Sequence, residues 1–229
     1  MLLANATLYR YPDKKLGVNQ FLLRCHIKFF FWTINLNVEK QGKIPSSPCL
    51  IVSNHLSYLD ILLFMSMTRS VFVSKAEVAK WPIFGAFTTN AGTVYINRES
   101  KQGIRDAQVQ IRNILDKEQT VVFFPEGTST GGDAVLPFKP SLFDSIRNTD
   151  YPLHSASIAY FVDSKTGSAS ENVCYWKDHI FFIHVFGLLG LKSIKAKLTF
   201  GPRITQSNDR KETAQAARTA VLSIFEKSA

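Results

Sequence analysis

The sequence predicts an α/β domain, with a mostly parallel central sheet flanked by helices. Three observations carry that prediction. Short β-branched or aromatic runs alternate with segments of helical periodicity. Reactive side chains gather directly after three of the strand-like runs, where open parallel sheets place their ligands. The 229 residues suit one large domain with a full core, or one domain with a short appendage.

The opening MLLANATLYRYPDKK lacks the apolar stretch and small-residue cleavage site of a signal peptide. Next, FLLRCHIKFFFWTINLNV (21–38) reads as a helix that sets Arg24, His26 and Lys28 before Phe29, Phe30, Phe31 and Trp32. Two placements suit it: a core helix, or an interfacial helix whose cations reach headgroups while its aromatics dip inward. The aromatic density favours the interface, because such a cluster is costly to leave in water. QGKIPSSP (41–48) follows as a linker rich in Gly, Pro and Ser. Residues 1–48 are therefore expected to form a membrane-associating helical segment and linker, and residues 49–229 the main domain.

Strand-like runs follow at Cys49–Ser53, Val71–Ser74, Thr93–Ile96, Thr120–Phe124, Ser155–Val162 and Lys195–Phe200. SNHLSYLDILLF (53–64) leaves the first of them for an apolar helical run, with Ser57 and Asp60 fitting a capping-box variant. Between Ser100 and Lys117, Ile104, Ala107, Ile111, Ile114 and Leu115 recur at helical spacing, as do Ala214, Ala217, Val221 and Phe225 near the end. Strands separated by helices imply parallel pairing and helices on both faces. No uncharged apolar run approaches the ~18 residues of a membrane-spanning helix.

The formal net charge of +9 and pI near 9.5 point to an anionic partner, either nucleic acid or an acidic membrane surface. No zinc-finger spacing or RNP-type aromatic signature is present, so no nucleic-acid partner is expected. Cys25, Cys49 and Cys174 are far apart and form neither a C-x-x-C pair nor a metal set, which reads as reduced thiols.

Two motifs compete for the chemistry. Gly127-Thr128-Ser129-Thr130-Gly131 fits the G-x-S-x-G pattern of a serine hydrolase elbow, which needs a helix directly after the serine. Thr130-Gly131-Gly132-Asp133 and the prolines Pro137 and Pro140 forbid a prompt helix, so this reading with Ser129 as nucleophile is weak. The other motif pairs His55 with Asp60. Were 55–60 all helix, the two would stand roughly 140° apart. With His55 in the entry turn and Asp60 in the first helical turn, one carboxylate oxygen reaches the imidazole and the other can still serve the cap. An Asp on Nδ1 leaves Nε2 to accept a proton, as in a general base. A structural histidine in a turn is the plainer alternative. Arg98 suits either a solvated charge after a strand or a fork for phosphate oxygens, and Glu126 either an ion pair or a ligand contact.

Asn54-His55-Leu56-Ser57-Tyr58-Leu59-Asp60 resembles the N-H-x-S-x-x-D block of the PlsC-type 1-acylglycerol-3-phosphate acyltransferase family. Gly92-Thr93-Val94-Tyr95-Ile96-Asn97-Arg98 is similar to its second block and Phe124-Pro125-Glu126-Gly127-Thr128 to its third. VSKAEVAKWPIFG (73–85) resembles the segment between the first two. The matches run in family order from about residue 49 to 140.

The resemblance implies that 49–229 is an acyltransferase domain and that no acyl-enzyme forms. His55 would deprotonate a lysophospholipid hydroxyl, Asp60 would orient His55, and the alkoxide would attack the thioester of an acyl-CoA or acyl-carrier protein. Arg98, Glu126, Gly127 and Thr128 would hold the acceptor, most directly 1-acyl-sn-glycerol 3-phosphate, which becomes phosphatidic acid. No metal or organic cofactor is implied, because the thioester supplies the activation. A monotopic enzyme on the cytoplasmic face of an anionic membrane is the implied setting.

The sequence also departs from the family. Ser129 stands where many relatives carry a basic residue, and Ser155-Ala156-Ser157-Ile158 replaces a proline-bearing strand. GTSTGGDAVLPFKPSLF (127–143) resembles a branch acting on lyso-ornithine lipids. Lys75, Lys80 and Lys139 suit either the headgroup and CoA phosphates or ordinary solvated surface. WKDHIFFIHVFGLLGLK (176–192), with His179 and His184, suits a second membrane-facing or acyl-chain-lining element, or core packing.

Overall fold

The computed structural model describes residues 12–81, 85, 88, 89, 92–177 and 179–229, with side chains from Leu22 onward. The opening eleven residues and the Pro82-Ile83-Phe84 part of the 73–85 segment lie outside the described residues. The first half of the chain runs α1 (Pro12–Thr33), β1 (Leu36–Gln41), β2 (Leu50–Ser53), α2 (Leu59–Met67), β3 (Ser70–Lys75), β4 (Val94–Ile96), α3 (Lys101–Asp116) and β5 (Thr120–Phe123). The second half runs β6 (Leu153–Val162), the single turn α4 (Ala169–Asn172), α5 (Phe181–Leu189), β7 (Ile194–Ile204) and α6 (Arg210–Leu222).

The strands form one seven-stranded sheet in the order β1-β7-β6-β2-β5-β3-β4. Every pairing is parallel except β6 with β7. β2 and β5 are buried at all four positions on both faces. Their unbroken apolar runs therefore mark central strands of a covered parallel sheet. One face is closed by an apolar cluster that takes in Ile27 and Phe31 of α1, Ile34 just after it, all of α2's core residues and Leu188 of α5. The other is closed by Ala107, Ile111 and Leu115 of α3 and Ala214, Ala217 and Val221 of α6. The predicted mostly parallel sheet between two helical layers is thus the one observed.

α3 shows why the periodicity was readable. Its three buried residues stand four apart on one stripe, and Ser100 caps it by accepting from the Gly103 N–H at 3.2 Å. α2 is short and carries apolar residues all round, because it lies wholly inside the core.

The expected helix over 21–38 ends early. It stops at Thr33, Asn35 takes a left-handed φ of 51°, and Leu36–Gln41 becomes the edge strand β1. Asparagine tolerates that conformation better than most residues. The partner of β1 is β7, with Leu36 opposite Ile194 and Gln41 opposite Thr199. α1 sends Ile27 and Phe31 into the core and leaves Phe29 and Trp32 exposed. No helix among the described residues is long and apolar enough to cross a membrane.

Because β2, β3, β4 and β5 are mutually parallel, their carboxyl ends open on the same edge. The segments 54–60, 97–98 and 124–130, together with Lys75, are delivered there by chain direction alone.

Candidate active site

The chain leaves β2 at Ser53 and turns sharply before α2. Asn54 holds this turn to β6, with its side chain donating to the Ile158 carbonyl at 2.9 Å and accepting from the Ile158 N–H at 2.8 Å. Ile158 belongs to the serine-bearing stretch that departs from the family pattern, so this anchor relies on its backbone and tolerates the change of side chains.

Asp60 is fully buried and accepts four hydrogen bonds. Its Oδ2 takes the Leu56 N–H at 2.7 Å, the Ser57 N–H at 3.0 Å and His55 Nδ1 at 2.7 Å. Its Oδ1 takes the Tyr160 hydroxyl at 2.7 Å. Burial, and then the carboxylate itself, push the Tyr160 hydroxyl well above its ordinary value, so it stays protonated and donates. The capping box expected of Ser57 is not formed. Tyr58 occupies the N-cap, the Ser57 hydroxyl is buried with no hydrogen-bond partner among the described residues, and the carboxylate folds back over the entry turn instead.

His55 is held on every side but one. Its backbone N–H donates to Glu126 Oε1 at 2.9 Å, its carbonyl accepts from Thr130 N–H at 2.9 Å, and its ring stacks on Phe124 with centroids 4.1 Å apart. Nε2 makes no hydrogen bond among the described residues, and the ring lines a cleft. A ring so fixed can accept a proton at Nε2 while Asp60 carries the compensating charge.

Lys75, Arg98, Gly127 and Thr128 line the same cleft, together with Tyr58, Trp81 and Tyr175. Arg98 donates through Nη1 to the Gly127 carbonyl at 2.5 Å. Burial lowers its pKa and Glu77 acts against that, yet a guanidinium stays charged. Gly127 takes a φ of 79°, and a Cβ there would stand 2.8 Å from Lys139 Nζ and 3.1 Å from Arg98 Nη1. The positive φ favours glycine here, and a larger residue would also push the Lys139 ammonium aside. Lys139 lines an adjoining cleft that shares Arg98 and Gly127 with the first. The exposed Lys80, in the 3₁₀ turn Ala76–Lys80, lines neither cleft.

Glu126 differs from its expected place at the acceptor. Its side chain is turned beneath the cleft, with Oε1 on the His55 N–H and Oε2 on the Leu136 N–H at 3.0 Å. It is 3% exposed, and burial lifts its carboxyl from an ordinary 4.5 to about 7 against the pull of those two N–H groups. A raised carboxyl pKa keeps the folded chain protonated where the unfolded chain has ionised. The associated stability is full below pH 4.5 and is lost as pH rises through about 7, a change of roughly 3 kcal/mol. Urea unfolding of Glu126→Gln and the parent chain at pH 5 and pH 8 is expected to show that fall in the parent only.

Ser129 lines the cleft but donates its hydroxyl to the Tyr175 carbonyl at 2.5 Å, not to a histidine. A loop rather than a helix follows it, so the elbow geometry is not formed. Three residues that sequence reasoning left out complete the site: Tyr160 beneath Asp60, and Trp81 and Tyr175 on the cleft wall. The alternation of Ala156, Ile158 and Tyr160 along one face of a strand was the one available signal for Tyr160.

Residues 35–159, more than half of the chain, match the family described as Acyltransferase. A 1-acyl-sn-glycerol-3-phosphate acyltransferase of Neisseria gonorrhoeae is 32% identical over 144 residues, which are 62% of this chain and 56% of that protein. A lyso-ornithine lipid O-acyltransferase of Rhodobacter capsulatus is 32% identical over 195 residues, 83% of this chain and 70% of that protein. The crystal structure of the acyltransferase PlsC from Thermotoga maritima shares the fold, with a TM-score of 0.67 at 21% identity over 97% of this chain and 86% of that one. The chain spans little more than half the length of the Neisseria relative. A family match that spans more than half of the chain and holds both His55 and Asp60, with a 32% identical relative covered to 70% of its length, shows that this chain belongs to the PlsC-type acyltransferase family.

Proposed function

We propose that this chain is an O-acyltransferase that moves a fatty acyl group from an acyl-CoA or acyl-carrier-protein thioester to the free hydroxyl of a lysophospholipid. The observation that carries the reading is the 2.7 Å bond from His55 Nδ1 to the buried Asp60, in a cleft that also presents Arg98. His55 Nε2 takes the proton from the acceptor hydroxyl, whose oxygen attacks the thioester carbonyl. The tetrahedral intermediate collapses, the C–S bond breaks, and the imidazolium returns the proton to the leaving thiolate. Asp60 holds the Nδ1–H tautomer throughout.

Arg98 binds the acceptor's anionic headgroup, with the Gly127-Thr128 turn as its floor and Lys75 at the mouth. Lys139 adds positive charge from the neighbouring cleft. Glu126 serves the reaction by fixing the His55 backbone rather than by touching substrate. 1-Acyl-sn-glycerol 3-phosphate is the first acceptor, by similarity to the Neisseria relative. Lyso-ornithine lipid is a second reading, favoured by the longer match to the Rhodobacter relative and by Ser129, which supplies no cation. The protein works at the cytoplasmic face of a membrane, docked through α1.

Mass-spectrometric transfer from oleoyl-CoA tests this, with lysophosphatidic acid and lyso-ornithine lipid in parallel. Arg98→Ala is expected to raise KM for the phosphate-bearing acceptor roughly 10- to 100-fold, the loss of a charge-assisted contact of about 1.5–3 kcal/mol. Ser129→Ala is expected to retain transfer. Product with neither acceptor would remove the lysolipid reading.

A further inference from the structure

α5 turns its apolar side outward. Ile183 and Phe186 are 67% and 70% exposed, and Ile180, Phe182 and Leu189 stand exposed beside them. Positions 182, 183, 186 and 189 share one helical face, whereas His184 and Leu188 on the opposite face are buried. A helix seated in water shows the reverse pattern. Exposed lysines, Lys177 and Lys192, flank the helix, and the sequence from His179 to Ser193 contains no Asp or Glu.

The buried side of α5 rests on the cleft wall. His184 Nδ1 lies 3.1 Å from the Tyr58 hydroxyl, and the Phe181 ring stands 5.1 Å from Tyr58 and 5.3 Å from Trp81. Both Tyr58 and Trp81 line the cleft that holds His55. At its far end α5 is tied to the α1–β1 turn. The Asn35 side chain donates to the Leu191 carbonyl at 3.4 Å, and the Asn35 carbonyl accepts from the Ile194 N–H at 3.0 Å.

We propose that the outward face of α5 seats in an anionic lipid bilayer, at the wall of the cleft, as a contact additional to α1. Cations at both ends, with Asp178 beside Lys177 the one acid between them in sequence, match anionic headgroups, and the bulky apolar face between them suits the acyl boundary. A lipid acceptor then passes from the bilayer to His55 along the α5 flank, without crossing water. The passage rests on the acyltransfer reading, but the seating does not.

The test uses the full chain carrying Cys25→Ser and Ile183→Cys, labelled at position 183 with nitrobenzoxadiazole. The remaining native thiols, Cys49 and Cys174, are buried. Vesicles of phosphatidylcholine and phosphatidylglycerol should shift the emission to the blue, and brominated acyl chains should quench it. The same label at Val109→Cys, on the solvent-facing side of α3, should show neither effect. Ile183→Asp with Phe186→Asp should weaken vesicle partition at least about tenfold at an unchanged thermal midpoint. A vesicle-bound chain whose label at 183 is neither shifted nor quenched overturns the proposal. So does a dimer in solution, seen by light scattering, that the double Asp variant converts to monomer, because a second copy then covers the face. None of these readouts involves acyl transfer, so a failed activity assay and a failed seating are told apart.

Discussion

His55→Ala is expected to lower kcat for acyl transfer roughly 10²- to 10⁴-fold, the range a positioned general base contributes. The fold should survive. Asp60 would keep three of its four donors, the Leu56 and Ser57 N–H groups and the Tyr160 hydroxyl, so its buried charge stays hydrogen-bonded. Loss of the imidazole removes one such bond and the stack on Phe124, about 1–2 kcal/mol together. Single-turnover product formation, with a urea midpoint measured alongside, separates chemistry from folding. A His55→Ala protein that retains more than about a tenth of the parent rate would rule out the general-base role.

Substitution at Asp60 is expected to divide into two outcomes. Asn can turn its oxygen to the three donors now on Oδ2 and its amide to the Tyr160 oxygen, which changes from donor to acceptor. His55 then keeps the productive tautomer but loses the charge that stabilises its protonated form. Asp60→Asn should fold within about 1 kcal/mol of the parent and lose roughly 10²-fold or more in kcat. Asp60→Ala leaves those four donors facing no acceptor, and it should cost about 3–5 kcal/mol, a large part of a typical domain's stability. Urea unfolding at unchanged m-value reads the second effect. Equal stability of the Asn and Ala variants would show that the carboxylate does not organise the turn.

The helices α3 and α6 and six of the strands were legible because each has a local period. The stripe Ala107-Ile111-Leu115 or the run Leu50-Ile51-Val52 states its burial without reference to the rest of the chain. β1 was not legible in this way. Its neighbour β7 lies more than 150 residues further along, and no local pattern encodes a partner at that distance. Instead the aromatic run of α1 was read onward through Leu36 and Val38, although Asn35 already breaks the helix there.

At the site, the sequence by itself determined which groups gather at one edge of the sheet. Strand ends that share one direction must deliver His55, Asp60, Arg98 and the Gly127-Thr128 turn to one edge, whatever their side chains then do. Only the tertiary structure decided where each group points. It turned Glu126 inward onto two backbone N–H groups, set Tyr160 of β6 beneath Asp60, and brought Lys139 to within reach of Gly127. It also exposed one face of α5 and buried the other against Tyr58. The physical reason is common to all four. Residue type and spacing along the chain fix a side chain's reach and its face, whereas its partner is whichever donor, acceptor or apolar surface the packing of distant elements leaves beside it.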